Sequence, residues 1–162
     1  MSEVPGRVRR AFADHDGFER VADGEYASTK TSFDATVRVD DAADGRVAFA
    51  VETRVPTLPA VVDGDVADVV ASGWYETFEL RVTDANGVTR AEHDLDPVVR
   101  RAADEVVVTV EYADSNERRG VDDAAALVTF VEGTFVQGVI PGYDYTEPVS
   151  SLLSSARQAG GF

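Results

Sequence analysis

No cysteine occurs in the 162 residues, which excludes disulfides, thiolate nucleophiles and thiolate metal ligands. Lysine is almost as scarce: Lys30 is the only one, and arginine carries nearly all the positive charge. Ile140 is the only isoleucine, so valine and alanine fill most core-like positions. No run approaches the roughly 18 consecutive apolar residues of a membrane span. The stretch from Met1 to Arg10 has no apolar core of signal-peptide type. The expectation is a cytoplasmic protein with no membrane partner.

Acid, by contrast, is abundant. Thirty Asp and Glu stand against fifteen Lys and Arg, for a formal net charge of -15. A basic partner or metal-rich surface, an acidic tail, and adaptation to molar salt are the competing explanations. A tail requires a block of like charge, whereas Asp14, Asp16, Asp23, Asp34, Asp40, Asp41 and Asp44 are scattered. A docking face leaves the loss of lysine unexplained. At molar ionic strength the Debye length shrinks to about 3 Å, and self-repulsion of this size is screened. At low salt the same charge works against the compact state. A salty cytoplasm is therefore the expected setting. The hydrophobic fraction of 44% is ordinary for an ordered chain. The length suits one domain, taken as 1–158 with a frayed tail at 159–162.

Periodicity predicts an α+β fold. Ser2 is placed to cap a first helix carrying Val4, Val8, Ala11 and Phe12, with Pro5 in its first turn and an end near Asp14. Asp16-Gly17 and Asp23-Gly24 read as turns. Tyr26, Ser28 and Lys30 suggest a short strand. Phe33, Ala35, Val37 and Val39 alternate with polar residues, as do Val47, Phe49, Val51, Thr53 and Val55 before Pro56 and Pro59. Val62, Val66, Val69 and Val70 suggest a helix capped by Gly73. Trp74, Phe78, Leu80 and Val82 then read as a strand face, with Asn86-Gly87 as a hairpin turn and Val88 to Arg90 returning. Val106, Val108, Val110 and Tyr112 alternate in a last strand. Ala124, Leu127, Val128 and Val131 define a helix that Gly133 is placed to bend, and Pro148 opens a final helix with Val149, Leu152, Leu153 and Ala156. The expected order is α-β-β-β-α-β-β-α: an antiparallel sheet of about five strands with helices packed on one face.

Chemistry is harder to find. His15 lies between Asp14 and Asp16, and His93 between Glu92 and Asp94. A metal site needs three or four converging ligands, and no H-x-x-x-H or H-E-x-x-H spacing exists. Both histidines read as exposed groups in an acidic surface, and no metal is expected. Ser150, Ser151, Ser154 and Ser155 read as the polar face of the last helix, without a G-x-S-x-G elbow. No phosphate loop or other cofactor motif occurs, so neither a cofactor nor a catalytic residue is assigned. Basic clusters at Arg7-Arg9-Arg10, Arg100-Arg101 and Arg118-Arg119 read as partners of neighbouring acids. With this net charge, nucleic acid is not an expected partner.

The longest low-charge run extends from Thr134 to Tyr145 and is rich in glycine and aromatics. It reads either as a buried hinge or as a pocket wall or docking patch. Phe135, Ile140, Tyr143 and Tyr145, together with Trp74, are the candidate binding residues. Three hypotheses follow. One is a non-enzymatic protein-binding or adaptor module with a protein partner or a second copy of the chain. Another is a small-ligand-binding protein or hydrolase-like enzyme with a pocket near Trp74, Tyr143 and Tyr145 and His93 or His15 at its mouth. The third, and least favoured on charge, is a nucleic-acid-linked regulator in which Arg7, Arg9 and Arg10 converge with Arg100 or Arg118 on one face.

Residues 119–124 (RGVDDA) and 132–143 (EGTFVQGVIPGY), with 4–12 (VPGRVRRAF) at the amino end, resemble a haloarchaeal family of uncharacterised proteins. That resemblance implies no activity and transfers no site residues. The element order is also similar to the fold of type III secretion chaperones and bacterial YbjN-type proteins, which implies a binding module.

Overall fold

The computed structural model describes residues 5–160, so Ser2 and Val4, the proposed cap and first apolar position, lie outside the described residues. Helix α1 spans Gly6–Ala13 and buries Val8, Ala11 and Phe12 at the expected helical spacing. Its N-cap position is Pro5, whose missing N–H removes no bond there. A hairpin follows, β1 (Phe18–Ala22) and β2 (Glu25–Ser28), paired antiparallel around the predicted Asp23-Gly24 turn. Gly24 sits there at φ 69, a conformation glycine adopts without steric cost.

Strands β3 (Ala35–Asp41) and β4 (Val47–Pro56) match the two alternating runs. In β4 the pattern is strict: Val47, Phe49, Val51, Thr53 and Val55 are buried and the intervening residues are not. Strand β6 (Glu105–Asp114) pairs with β4 over the whole length of both, from Val47 opposite Asp114 to Pro56 opposite Glu105. It turns Val106, Val108, Val110 and Tyr112 to the same buried side. Strand β5 (Val98–Ala102) closes the edge. The result is an open six-stranded antiparallel sheet in the order β1-β2-β3-β4-β6-β5, one strand more than expected.

Three further helices complete the fold: α2 (Asp68–Val82), α3 (Glu117–Gln137) and α4 (Val149–Gly160). The long α3 lies against β4 and β6, with α1 and α2 beside it. It begins at Asn116, whose side-chain oxygen accepts the Arg119 N–H at 3.0 Å, a capping bond for an otherwise orphaned donor. It buries Val121, Ala124, Leu127, Val128, Val131 and Phe135. Gly133 neither ends nor divides this helix; α4 is helical to Gly160, and residues 161–162 of the expected tail lie outside the described residues. Asp123 lies well inside α3 and is fully buried.

The middle of the chain departs most from expectation. Residues Trp74 to Val82 are helical, not a strand, and Gly73 is an interior position of α2. Trp74, Phe78 and Val82 recur every four residues and are buried, which is a helical stripe. Asn86-Gly87 belongs to a short 3-10 turn, Thr83–Gly87, that leads into an irregular loop without a return strand. The Asn86 side chain bonds both the N–H and the carbonyl of Leu95, and this closes the loop on itself.

Candidate functional site

Two places gather functional side chains. The first is a cleft of about 430 Å³ between α2 and the carboxyl end of α3. Its α2 side carries Val69, Val70, Gly73, Trp74, Thr77, Phe78 and Arg81. The other wall is Thr134, Gln137, Gly138, Val139, Ile140 and Pro141. That second wall belongs to the low-charge segment singled out in the sequence. It is held by the chain that follows it: the Ile140 N–H donates to the Tyr145 hydroxyl at 2.8 Å, and that hydroxyl donates to the Ile140 carbonyl at 2.6 Å. Burial pushes the Tyr145 phenol above its ordinary pKa, so it keeps its proton for this bond. Asp63 N–H to Asp144 carbonyl and Thr146 N–H to Val61 carbonyl, both 2.8 Å, stitch the same loop to the segment before α2.

The structure thus distributes the five sequence candidates over three roles. Trp74 and Ile140 face each other across the cleft as lining residues. Phe135 is fully buried behind it, in edge contact with the Trp74 ring at 5.6 Å between centroids. Tyr145 fixes Ile140 from outside the cleft, and Tyr143 packs half-buried on the core without lining it. Neither histidine is among the lining residues.

Two properties of the cleft stand out. Its lining holds one cation, Arg81, and no acid, in a chain of net charge -15. The Arg81 side chain has no ion pair or hydrogen bond among the described residues. It reaches across the cleft: a methyl group added to Gly138 would meet its Nη1 at 3.8 Å. In addition, the Trp74 indole N–H is buried without a hydrogen-bond partner among the described residues. Buried donors are normally paired, and an orphan calls for an explanation.

The second place is a buried polar network around the amino-terminal half of α3. Asp123, fully buried, accepts the Arg90 N–H at 2.6 Å and the Ala91 N–H at 3.3 Å, with His93 Nε2 at 3.3 Å. Asp114 receives a bidentate pair from Arg119, at 2.8 and 2.7 Å, and the Asn116 N–H at 2.9 Å. The Arg119 hydrogen bonds hold the Asp114 carboxyl below its ordinary pKa. Tyr112 donates to the Gly120 carbonyl at 2.6 Å, and burial raises its phenol well above the ordinary value. The expectation that both histidines are exposed fails at His93, whose side chain is 8% exposed and lies 4.7 Å from the Tyr112 ring.

His93, Asp114 and Asp123 present ligand atoms within 4.8 Å of one another, the one such group among the described residues. Their oxygens are already committed, Asp123 to two backbone donors and Asp114 to a guanidinium. A divalent cation would have to displace the Arg119 charge to compete. The network therefore acts as a pin that ties the loop after α2 to α3. His15 joins the neighbouring turn, with Nε2 at 3.6 Å from Asp122 and Nδ1 accepting the Gly17 N–H at 3.0 Å.

The expected pairing of the arginine clusters with neighbouring acids holds for some members only: among the described residues Arg9, Arg10 and Arg101 have no ion pair, and Arg101 lies over the Tyr75 ring. Arg7 meets Glu117 at 3.0 Å, Arg118 meets Asp14 at 2.7 Å, and Arg100 meets Glu52 at 3.8 Å. Arg7 and Arg118 join α1 to α3, whereas Arg100 belongs to strand β5. They do not form one free basic surface. No described helix is long and apolar enough to cross a membrane.

Sequence could not have revealed Asp123 or Asp114, two acids among thirty. Arg81 carried no signal either, because its helix read as a strand. No curated protein and no solved structure matches this chain, so the likeness to secretion chaperones rests on no comparison. One family model does match, over residues 13–155, and on that coverage the chain belongs to the family of unknown function DUF5813.

Proposed function

We propose that this chain is a non-enzymatic binding module that seats an apolar group in the cleft between α2 and the end of α3. The observation that carries this reading is the lining itself: Val69, Val70, Trp74, Phe78, Val139, Ile140 and Pro141 form an acid-free concavity on a molecule otherwise coated in carboxylate. Its volume of about 430 Å³ falls within the range of small-molecule sites. A hydrolase-like reading draws no support from it, because no histidine or acid lines the cleft to act as a base.

Trp74 is the only tryptophan, so intrinsic fluorescence reports on the cleft wall. Titration with neutral 4-phenylbutanamide in molar KCl is expected to shift that emission to saturation. Gly73 lies in the lining with open space beside it. Gly73→Phe is therefore expected to fill the cleft and abolish the shift while leaving the circular dichroism unchanged. An unsaturable response in the parent chain, or an undiminished one in G73F, rejects this reading. If the occupant is instead a second copy of the chain, sedimentation reports a doubled mass that G73F returns to monomer.

The surface supports a companion proposal, a haloarchaeal protein of a salty cytoplasm. Of the acids on the described residues, only Asp114 and Asp123 are buried, so the surplus carboxylate faces solvent.

A further inference from the structure

We infer that the occupant of the cleft is an apolar carboxylate: a compact hydrocarbon or aromatic body ending in a single carboxyl group. This rests on the proposed reading of the cleft as a binding site and names the ligand's chemistry. Two independent features converge. The walls are apolar side chains from two elements, which selects for a hydrocarbon body. At one side stands Arg81, whose guanidinium has no partner among the described residues and no acid in the lining to compete for it. An arginine fork matches a carboxylate through two parallel N–H···O bonds, a fit that a neutral amide or alcohol cannot reproduce.

Charge complementarity points the same way. A chain of net charge -15 repels anions in general, so an anion binds only where the local field is reversed. The cleft lining supplies that reversal with one cation and no acid. In molar salt, long-range steering is lost, but a contact pair closer than the roughly 3 Å screening length survives. Thr77, Thr134 and Gln137 add polar groups at the lining without adding charge.

The test compares 4-phenylbutyrate with 4-phenylbutanamide, equal in shape and different in charge, in molar KCl by Trp74 fluorescence. The parent chain is expected to prefer the carboxylate by about three- to tenfold, since Arg81 is exposed enough for water to weaken the pair. In Arg81→Gln, that preference is expected to fall to about one through loss of carboxylate affinity. Arg81 is exposed, so this variant is expected to fold, and circular dichroism checks it. Equal affinity for the two ligands in the parent chain overturns the carboxylate assignment while leaving the cleft as a binding site. A preference that persists in R81Q overturns the role of Arg81. Failure of both ligands to bind removes the underlying reading as well.

Discussion

Asp123 shows how much one buried carboxylate holds in this fold. It takes two backbone N–H groups from a loop some thirty residues away in sequence and meets His93 on the same side. Removing it leaves those part-buried donors without their carboxylate partner. Asp123→Ala is expected to cost about 3 kcal/mol of stability, read as a lowered urea midpoint in molar KCl. Asp114 gives a pH signature instead. Its folded pKa is depressed by the Arg119 hydrogen bonds, so its stabilisation is complete above the ordinary carboxylate pKa, about 3.9, and is lost as pH falls through the depressed value. Asp114→Asn is expected to weaken the fold at neutral pH and to flatten the fall in stability on the acid side, seen in urea midpoints across that range. Neither acid was legible in the sequence. What separates them from the other acids is burial, and burial belongs to the packed chain.

Two glycines on different helices carry opposite expectations, and the difference is local packing. A methyl group at Gly120 of α3 would overlap the Phe49 ring on β4. Gly120→Ala is therefore expected to cost about 2 kcal/mol through forced displacement of the helix from the sheet. Gly73 of α2 has nothing within 4 Å of an added methyl. Gly73→Ala is expected to raise stability by about 0.5–1 kcal/mol, the ordinary helical advantage of alanine. Thermal unfolding of the two variants side by side checks both signs.

The elements themselves show why some sequence signals were readable. β4 and β6 pair in the middle of the sheet; β4 alternates strictly and β6 does so apart from buried Val107, and both were recovered almost to the residue. The two overlooked strands, β1 and β5, are the sheet edges. β1 buries only Phe18, and β5 exposes Val98, so neither writes a period into its sequence. In α2 the error has a single cause. Trp74, Phe78, Leu80 and Val82 are all even-numbered, which imitates a strand, but Leu80 is 70% exposed. Without Leu80, the remaining three positions are a four-residue helical repeat. Of the candidate site, Trp74 and Ile140 were legible as apolar residues out of place among charges. Arg81 and the shape of the cleft depend on the α2–α3 packing and were not.

Across the whole molecule the governing quantity is the net charge of -15 on one packed domain. With nearly all acids at the surface, repulsion rises as salt is withdrawn. The thermal midpoint is expected to climb continuously from dilute buffer to molar KCl, and circular dichroism melts at stepped salt measure it. A midpoint independent of salt would mean that the carboxylates are paired or remote enough not to matter, and the halophilic proposal would go with it.

Arg7 has a consequence for timing. Its guanidinium bonds the Gly45 carbonyl at 2.8 Å, the Ser115 carbonyl at 3.3 Å and the Glu117 carboxylate at 3.0 Å. The last two partners lie more than a hundred residues downstream. During synthesis, at about 5–20 residues per second, Arg7 leaves the ribosome many seconds before either of them exists. The amino-terminal helix can settle early on the adjoining hairpin, where Phe12 stacks on Tyr26 at 3.8 Å. Its bolt to α3 must wait for the rest of the sheet, so the first segment made is among the last to be locked down.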